Sequence, residues 1–219
     1  MYKHLIFDLD GTLLDTIEDI AFAISEALRV CGYSRRFDKQ SAQRLIGNGA
    51  DRLLWRALDG LSDDPEDFAR LKAVYMPFYK QYQGIKCVPF PKMEKTLQNL
   101  REMGVDFAIV SNKPDDLSKI IIAQKLPQIP FALVLGHVEG NPVKPDPLLV
   151  DLVLEKTGWL KEDCCFVGDS YVDIDTGNNA GIDTALCCWG YGVYTDELKA
   201  RSNHVLEEVS DLLALCKPS

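Results

Sequence analysis

The first clear pattern along the chain is a continuous apolar run, Leu5-Ile6-Phe7, that meets a charge at Asp8. A short run without alternation predicts a strand buried on both faces, over Lys3–Leu9. A Gly-Thr turn follows. Ile17, Ile20, Ala21, Ile24, Ala27, Leu28 and Cys31 then recur at helical spacing until Gly32 stops the run. From there to about Gly84 every pattern is helical: Lys39–Ile46, Asp51–Leu58 and Pro65–Tyr82, with Pro65 suited to a first turn. Gly47-Asn48-Gly49 breaks the middle of this block. After Gly84 helical and strand patterns alternate. Helices are expected over Met93–Met103, Asp115–Gln124, Pro147–Lys156 and Val172–Ala180, with Asp146 capping the third. Strands are expected over Val105–Val110, Phe131–Leu135, Cys164–Val167 and Ile182–Cys187. A final helix is expected over Glu207–Leu215.

Alternation of this kind implies right-handed β-α-β units. The expected fold class is α/β, a doubly wound parallel sheet with a Rossmann-like core. The first strand joins the later ones in that sheet, so the helical block is an insert. The expected organisation is an α/β core over 1–15 and 85–219, with an inserted helical cap over 16–84. Ligands of open α/β sheets bind at the carboxyl ends of the strands. An insert leaving from that edge is expected to cover the site as a lid.

Composition narrows the function classes. At 219 residues the chain can bury a core without disulfides or structural metal. Hydrophobic residues at 47% and charged residues at 26% argue against a disordered chain. With 24 basic and 33 acidic residues the net charge is −9, so a general nucleic-acid binder is not expected. A small phosphorylated partner remains compatible, because one local site can be positive. The start meets a charge too early for a secretory signal, and no apolar stretch approaches the roughly 20 residues that span a bilayer. Seven cysteines, none in a Cys-x-x-Cys pair, read as small buried hydrophobes in a reduced cytoplasm.

Four segments lie at or just beyond the carboxyl ends of expected strands. In Asp8-Leu9-Asp10-Gly11-Thr12, two carboxylates sit two residues apart before a glycine, which is costly unless something positive joins them. Ser111-Asn112-Lys113 ends a strand in a hydroxyl and an amide. Lys144 lies in a turn stiffened by Pro142, Pro145 and Pro147. Asp169 and Asp173 lie four residues apart at a helix start and can face one point. Four converging carboxylates need a cation, and oxygen ligands suit Mg²⁺. The lysine and hydroxyl suit phosphate oxygens. Together these groups describe phosphoryl transfer through an aspartyl-phosphate.

On these residues the sequence resembles the haloacid dehalogenase-like superfamily of phosphohydrolases. Asp8-x-Asp10-Gly-Thr matches the first motif, and Ser111, Lys144 and Asp169-x-x-x-Asp173 match the next three in order. The resemblance implies that Asp8 is the nucleophile and Asp10 the general acid and base. It implies that Mg²⁺ is held by the Asp8 and Asp169 carboxylates and the Asp10 backbone carbonyl, with Asp173 acting through water or orienting Lys144. Ser111 and the Asn112 backbone N–H would hold phosphate oxygens, and Lys144 would neutralise the transferring group. The cap and its Gly47-Asn48-Gly49 loop resemble the phosphoglycolate phosphatase branch. That implies 2-phosphoglycolate, or a similar small phosphorylated acid or sugar, as substrate. A plain interhelical turn is the competing reading of the loop. A β-phosphoglucomutase-like isomerase also keeps Asp8 and Asp10, and a non-catalytic binding protein is the third class. A dehalogenase lacks the second aspartate. Outside these motifs, Lys113 reads as a solvent-facing or capping residue. His137 reads as exposed or packed, Asn178, Asn179, His4 and His204 as structural, and Trp55, Trp159 and Trp189 as packing.

Overall fold

The computed structural model describes residues 1–216. The elements are, in order, β1 (His4–Phe7), β2 (Leu14–Asp15), α1 (Ile17–Val30), α2 (Lys39–Gln43), α3 (Gly49–Leu58), α4 (Pro65–Tyr82) and β3 (Val88–Pro89). They continue with α5 (Met93–Glu102), β4 (Asp106–Pro114), α6 (Asp115–Lys125), β5 (Phe131–His137), α7 (Leu148–Thr157) and β6 (Cys164–Gly168). The chain closes with α8 (Tyr171–Ala180), β7 (Asp183–Cys187), α9 (Asp196–Arg201), β8 (His204–Leu206) and α10 (Leu212–Cys216). It divides into two compact units, 1–15 with 89–219, and 16–88.

The first unit is an α/β core around a six-stranded sheet of order β5-β4-β1-β6-β7-β8. Every neighbouring pair in it is parallel. Leu5, Ile6 and Phe7 in β1 are fully buried, as a strand covered on both faces requires. On one face Ile6, Ala108, Val110 and Phe166 pack with Leu149, Val150 and Val153 of α7 and Ala180 of α8. The alternate residues Leu5, Phe7, Phe107 and Ile109 point the other way and are equally buried. The chain adds β4 and β5 on one side of β1, then crosses back to add β6, β7 and β8 on the other. That reversal puts β4, β1 and β6 side by side at the switch point, where open sheets bind ligands.

Three local features differ from the sequence reading. The strand expected to stop at Val110 runs on to Pro114, with its register to β5 shifting between Val110 and Pro114. The expected helix over Glu207–Leu215 is instead a 3₁₀ turn, Val209–Asp211, followed by α10. The Asp211 carboxylate accepts from the Glu207 and Glu208 N–H groups at 3.0 and 2.9 Å, so regular helix begins only after it. The short elements α9 and β8 carry too few residues for a period to show, and β8 is an edge strand. Among the described residues no helix is long and apolar enough to cross a membrane. All seven cysteines are free. Burial pushes the Cys164 thiol up to about 12 and raises those of Cys165 and Cys187, which disfavours their thiolate forms.

The second unit is wholly helical between Thr16 and Val88, with α1 packed on α2 and α4 and α3 on α4. Trp55 stacks on Phe68 with ring centroids 4.5 Å apart. Its main internal tie is Asp19 of α1, which is 3% exposed. That carboxylate accepts from the N–H groups of Gly84, Lys86 and Cys87 at 2.7, 2.8 and 3.0 Å. Three charge-assisted bonds bind the segment after α4 to α1, which explains why the unit runs to Val88 although the sequence changes texture at Gly84. Asp19→Ala leaves three N–H groups without their acceptor. A loss of about 2–4 kcal/mol in urea-unfolding free energy is expected, with Asp19→Asn losing less.

Candidate active site

Asp8 is the first residue past β1. Its N–H donates to the Val167 carbonyl of β6 at 2.9 Å, so the end of one strand is fixed by its neighbour. The chain then turns sharply: the Leu9 carbonyl accepts from the N–H groups of Leu13 and Leu14, each at 3.1 Å. Gly11 sits at φ +89°, and a Cβ there would lie 2.5 Å from Asp169 Oδ2, so only glycine fits. The Trp189 indole N–H donates to the Thr12 carbonyl at 3.0 Å, pinning the same turn from the loop after β7. Trp189 therefore does more than pack.

Asp169 and Asp173 follow β6. Asp173 Oδ2 accepts from the Ser170 N–H at 3.0 Å and hydroxyl at 2.7 Å, a reciprocal cap at the start of α8. Asp169 Oδ2 accepts from the Tyr191 N–H at 2.6 Å. Gly190 and Gly192 flank that tyrosine because their Cβ atoms would lie 2.5 Å from Asp169 Cβ and 1.9 Å from the Asp169 carbonyl oxygen. The Tyr191 hydroxyl donates to Asp15 at 2.8 Å. The Gly190-Tyr191-Gly192 loop is thus a cradle around Asp169 that the motif reading did not include. Its only sequence signal is a glycine pair just past a strand end on the same sheet edge.

Lys144 joins the two carboxylate segments. Its Nζ is 2.8 Å from Asp8 Oδ1 and 2.7 Å from Asp173 Oδ1, and its side chain is 2% exposed. Asn112 holds the lysine's main chain with both ends of its amide. Oδ1 accepts from the Lys144 N–H at 2.7 Å, and Nδ2 donates to the Lys144 carbonyl at 3.1 Å. Asn179 Nδ2 donates to the Pro145 carbonyl at 2.9 Å, steadying the same turn. Ser111 is 2% exposed in the later part of β4.

The electrostatics follow from this crowding. Burial is the largest influence on Asp8 and, with Asp173 nearby, lifts its carboxyl to about 7 against the pull of Lys144. Burial and the Asp173 and Asp8 carboxylates raise Asp169 well above the usual range. Burial disfavours the Lys144 ammonium, but Asp173 and Asp8 outweigh it and hold the lysine charged. One oxygen each from Asp8, Asp169 and Asp173 lie within 4.8 Å of one another. This donor set is all oxygen, mostly buried and short of positive charge, which fits a hard divalent cation.

Three candidates lie outside this cluster. The Asp10 carboxylate is outside this cluster and faces Lys113, with Nζ 3.4 Å from Oδ1. The Lys113 side chain is 1% exposed, which corrects the reading of it as solvent-facing. The reason is strand alternation: β4 continues past Val110, so Lys113 points inward with Ser111. His137 Nε2 lies 3.0 Å from the Asn141 carbonyl, within its own loop. In the helical unit, Gly47-Asn48-Gly49 has positive φ at all three positions. Arg56 gathers this loop from within the unit: Nη1 donates to the carbonyls of Leu45, Ile46 and Gly47 at 3.0, 2.7 and 3.0 Å.

A family model for haloacid dehalogenase-like hydrolases matches residues 5–187. This chain belongs to that family. It is 33% identical over 216 residues to a phosphoglycolate phosphatase of Vibrio cholerae, covering 96% of this chain and 95% of the relative. A phosphoglycolate phosphatase of Aquifex aeolicus is 32% identical over 213 residues, covering 97% and 96%. A solved structure of a candidate phosphoglycolate phosphatase from Lactobacillus delbrueckii subsp. bulgaricus superposes with a TM-score of 0.91 at 27% identity, covering 100% of this chain and 99% of that one. The chain therefore falls on the phosphoglycolate phosphatase-like branch, among phosphoric monoester hydrolases.

Removing Lys144 separates its charge role from simple packing. Lys144→Met leaves Asp8 and Asp173 buried without their cation, so a loss of about 3–5 kcal/mol is expected in the presence of a chelator. The orphaned Asp8 carboxyl, already raised by burial, loses the cation that opposed that rise, and a raised carboxyl destabilises the fold only while it is ionised. The deficit must therefore shrink as pH falls from about 8 towards about 5. Urea unfolding across that range checks the sign.

Proposed function

We propose that this chain is a Mg²⁺-dependent phosphatase that hydrolyses 2-phosphoglycolate, or a closely similar small phosphate monoester, through an aspartyl-phosphate on Asp8. The observation that carries this reading is the Lys144 ammonium set between Asp8 and Asp173 within a three-carboxylate cluster. Attack of one anion on another needs positive charge on both partners, and this cluster gathers it at the nucleophile.

Asp8 attacks phosphorus in line and carries the phosphoryl group as an acyl phosphate. Asp10 protonates the leaving oxygen, then takes the proton of the water that opens the acyl phosphate. The Ser111 hydroxyl and the Asn112 backbone N–H hold phosphate oxygens. Lys144 offsets charge on Asp8 and on the transferring group. The Asp8 and Asp169 carboxylates and the Asp10 carbonyl would hold Mg²⁺, with Asp173 reaching it through water while it orients Lys144. When bound, the ion neutralises charge between Asp8 and the phosphoryl oxygens. The helical unit, 16–88, acts as the substrate-selecting cap, and the loop Gly47–Gly49, preset by Arg56, contributes to that selection.

Purified protein with Mg²⁺ should release inorganic phosphate from 2-phosphoglycolate faster than from a panel of sugar phosphates. Asp8→Asn should lower kcat by at least about 10³-fold while its thermal unfolding stays cooperative, since it removes the nucleophile. Near-normal release in that variant would overturn the mechanism. Isomerisation of a sugar phosphate without net phosphate release would favour a mutase instead.

Exchanging Gly47-Asn48-Gly49 for a helical linker tests the cap. The ratio of kcat/KM for 2-phosphoglycolate to that for p-nitrophenyl phosphate should fall by about 10-fold or more, worth about 1.4 kcal/mol of discrimination. An equal loss on both substrates would remove the loop from selection.

A further inference from the structure

Lys113 is a buried charge that the mechanism above does not use. A lysine whose side chain is 1% exposed is costly unless something compensates the ammonium. Its carboxylate partner is Asp10 Oδ1, at 3.4 Å. The main chain around it is held on several sides. Its N–H donates to Ser111 Oγ at 3.3 Å, and its carbonyl accepts from the Ser118 hydroxyl at 3.3 Å. A Cβ on Gly136 of β5 would lie 2.6 Å from that carbonyl oxygen and 2.5 Å from Asp115 Cα, so β5 must be bare there to let the end of β4 approach. The register shift between Val110 and Pro114 falls on this segment, and the alternation along β4 turns Lys113 inward.

We propose that Lys113 is a positioning residue for Asp10: by binding one carboxylate oxygen it fixes the carboxyl plane and aims the second oxygen at the leaving group. The proposal rests on Asp10 acting as acid and base in the proposed function. The 3.4 Å separation is at the long end for a charged pair, and such contacts tighten when substrate is bound. A lysine held here only for packing would act through stability alone. A lysine that instead binds the phosphate would act on every phosphate ester alike.

Leaving-group dependence separates these roles. An alkyl phosphate such as 2-phosphoglycolate needs its leaving oxygen protonated, whereas 2,4-dinitrophenyl phosphate does not. In Lys113→Met, kcat/KM for 2-phosphoglycolate should fall by about 10- to 100-fold, a fraction of what general acid catalysis supplies. For 2,4-dinitrophenyl phosphate it should change by less than about 3-fold, and the inhibition constant of inorganic phosphate should not move. Lys113→Arg should recover part of the lost activity. In an Asp10→Asn background Lys113→Met should have no further effect on 2-phosphoglycolate, because the group it positions is gone. Lys113→Gln carries the same comparisons if the methionine variant does not fold. Equal losses on both esters, a weakened inhibition by phosphate, or additive losses in the double variant would each overturn the proposal. Absence of phosphatase activity in the unsubstituted protein would instead overturn the proposed function.

Discussion

The whole site depends on one buried ammonium between two carboxylates. Lys144 touches Asp8 and Asp173 at 2.8 and 2.7 Å, where water is largely excluded. A charge cluster of this density is stable only when its members cannot drift apart. The surrounding structure supplies that rigidity. Asp8 is tied by its N–H to β6, Asp173 is locked by Ser170, and the Lys144 main chain is clamped by the Asn112 amide. Each of these residues follows a different segment, and three of those segments end in neighbouring strands, β4, β1 and β6. The parallel sheet is what makes the cluster possible, since it ends its strands at one edge.

Glycine has a specific part in the same arrangement. Close approach of carboxylates and backbone leaves no room for a Cβ at several points. At Gly11 a Cβ would lie 2.5 Å from Asp169 Oδ2, and at Gly168 it would lie 2.2 Å from Asp173 Cβ. The second carboxylate segment is therefore pressed against the first turn by side chains that are missing. That tight approach brings three carboxylate oxygens within 4.8 Å of one another and raises Asp8 and Asp169. A divalent cation reverses that cost by favouring the ionised forms.

Much of this was readable from the residues. Leu5-Ile6-Phe7 and the run through Cys164–Val167 announce buried strands without reference to any partner, and carboxylates directly after them mark the sheet edge. The reading failed where a residue's role depends on a distant backbone. Tyr191 serves Asp169 with its N–H, which leaves no trace in side-chain chemistry, and the two are joined only by the fold. The Asn112 amide side chain grips a lysine far along the chain, a second role that its own motif does not announce. The span Glu207–Leu215 has a helical period, but Asp211 diverts its first turn into capping. Lys113 was misread because lysines are rarely buried. The alternation of Ser111 and Lys113 along an extended strand was the available correction.

Counting Lys113 changes the charge balance of the site. Fully ionised, Asp8, Asp10, Asp169 and Asp173 carry four negative charges, and Lys144 alone leaves most of them uncompensated. With Lys113 the protein's own cations are two, and the divalent ion of the proposed function would supply the remaining two positive charges. The two lysines divide the carboxylates between them. Lys144 serves Asp8 and Asp173, and Lys113 faces Asp10, whose carboxylate lies outside the three-oxygen cluster. This division matters for the proposed chemistry, because a nucleophile and an acid two residues apart would otherwise compete for the same cation. Held by separate ammonium groups, Asp8 stays with Asp169 and Asp173, and Asp10 is left free of that cluster for the acid-base role proposed for it.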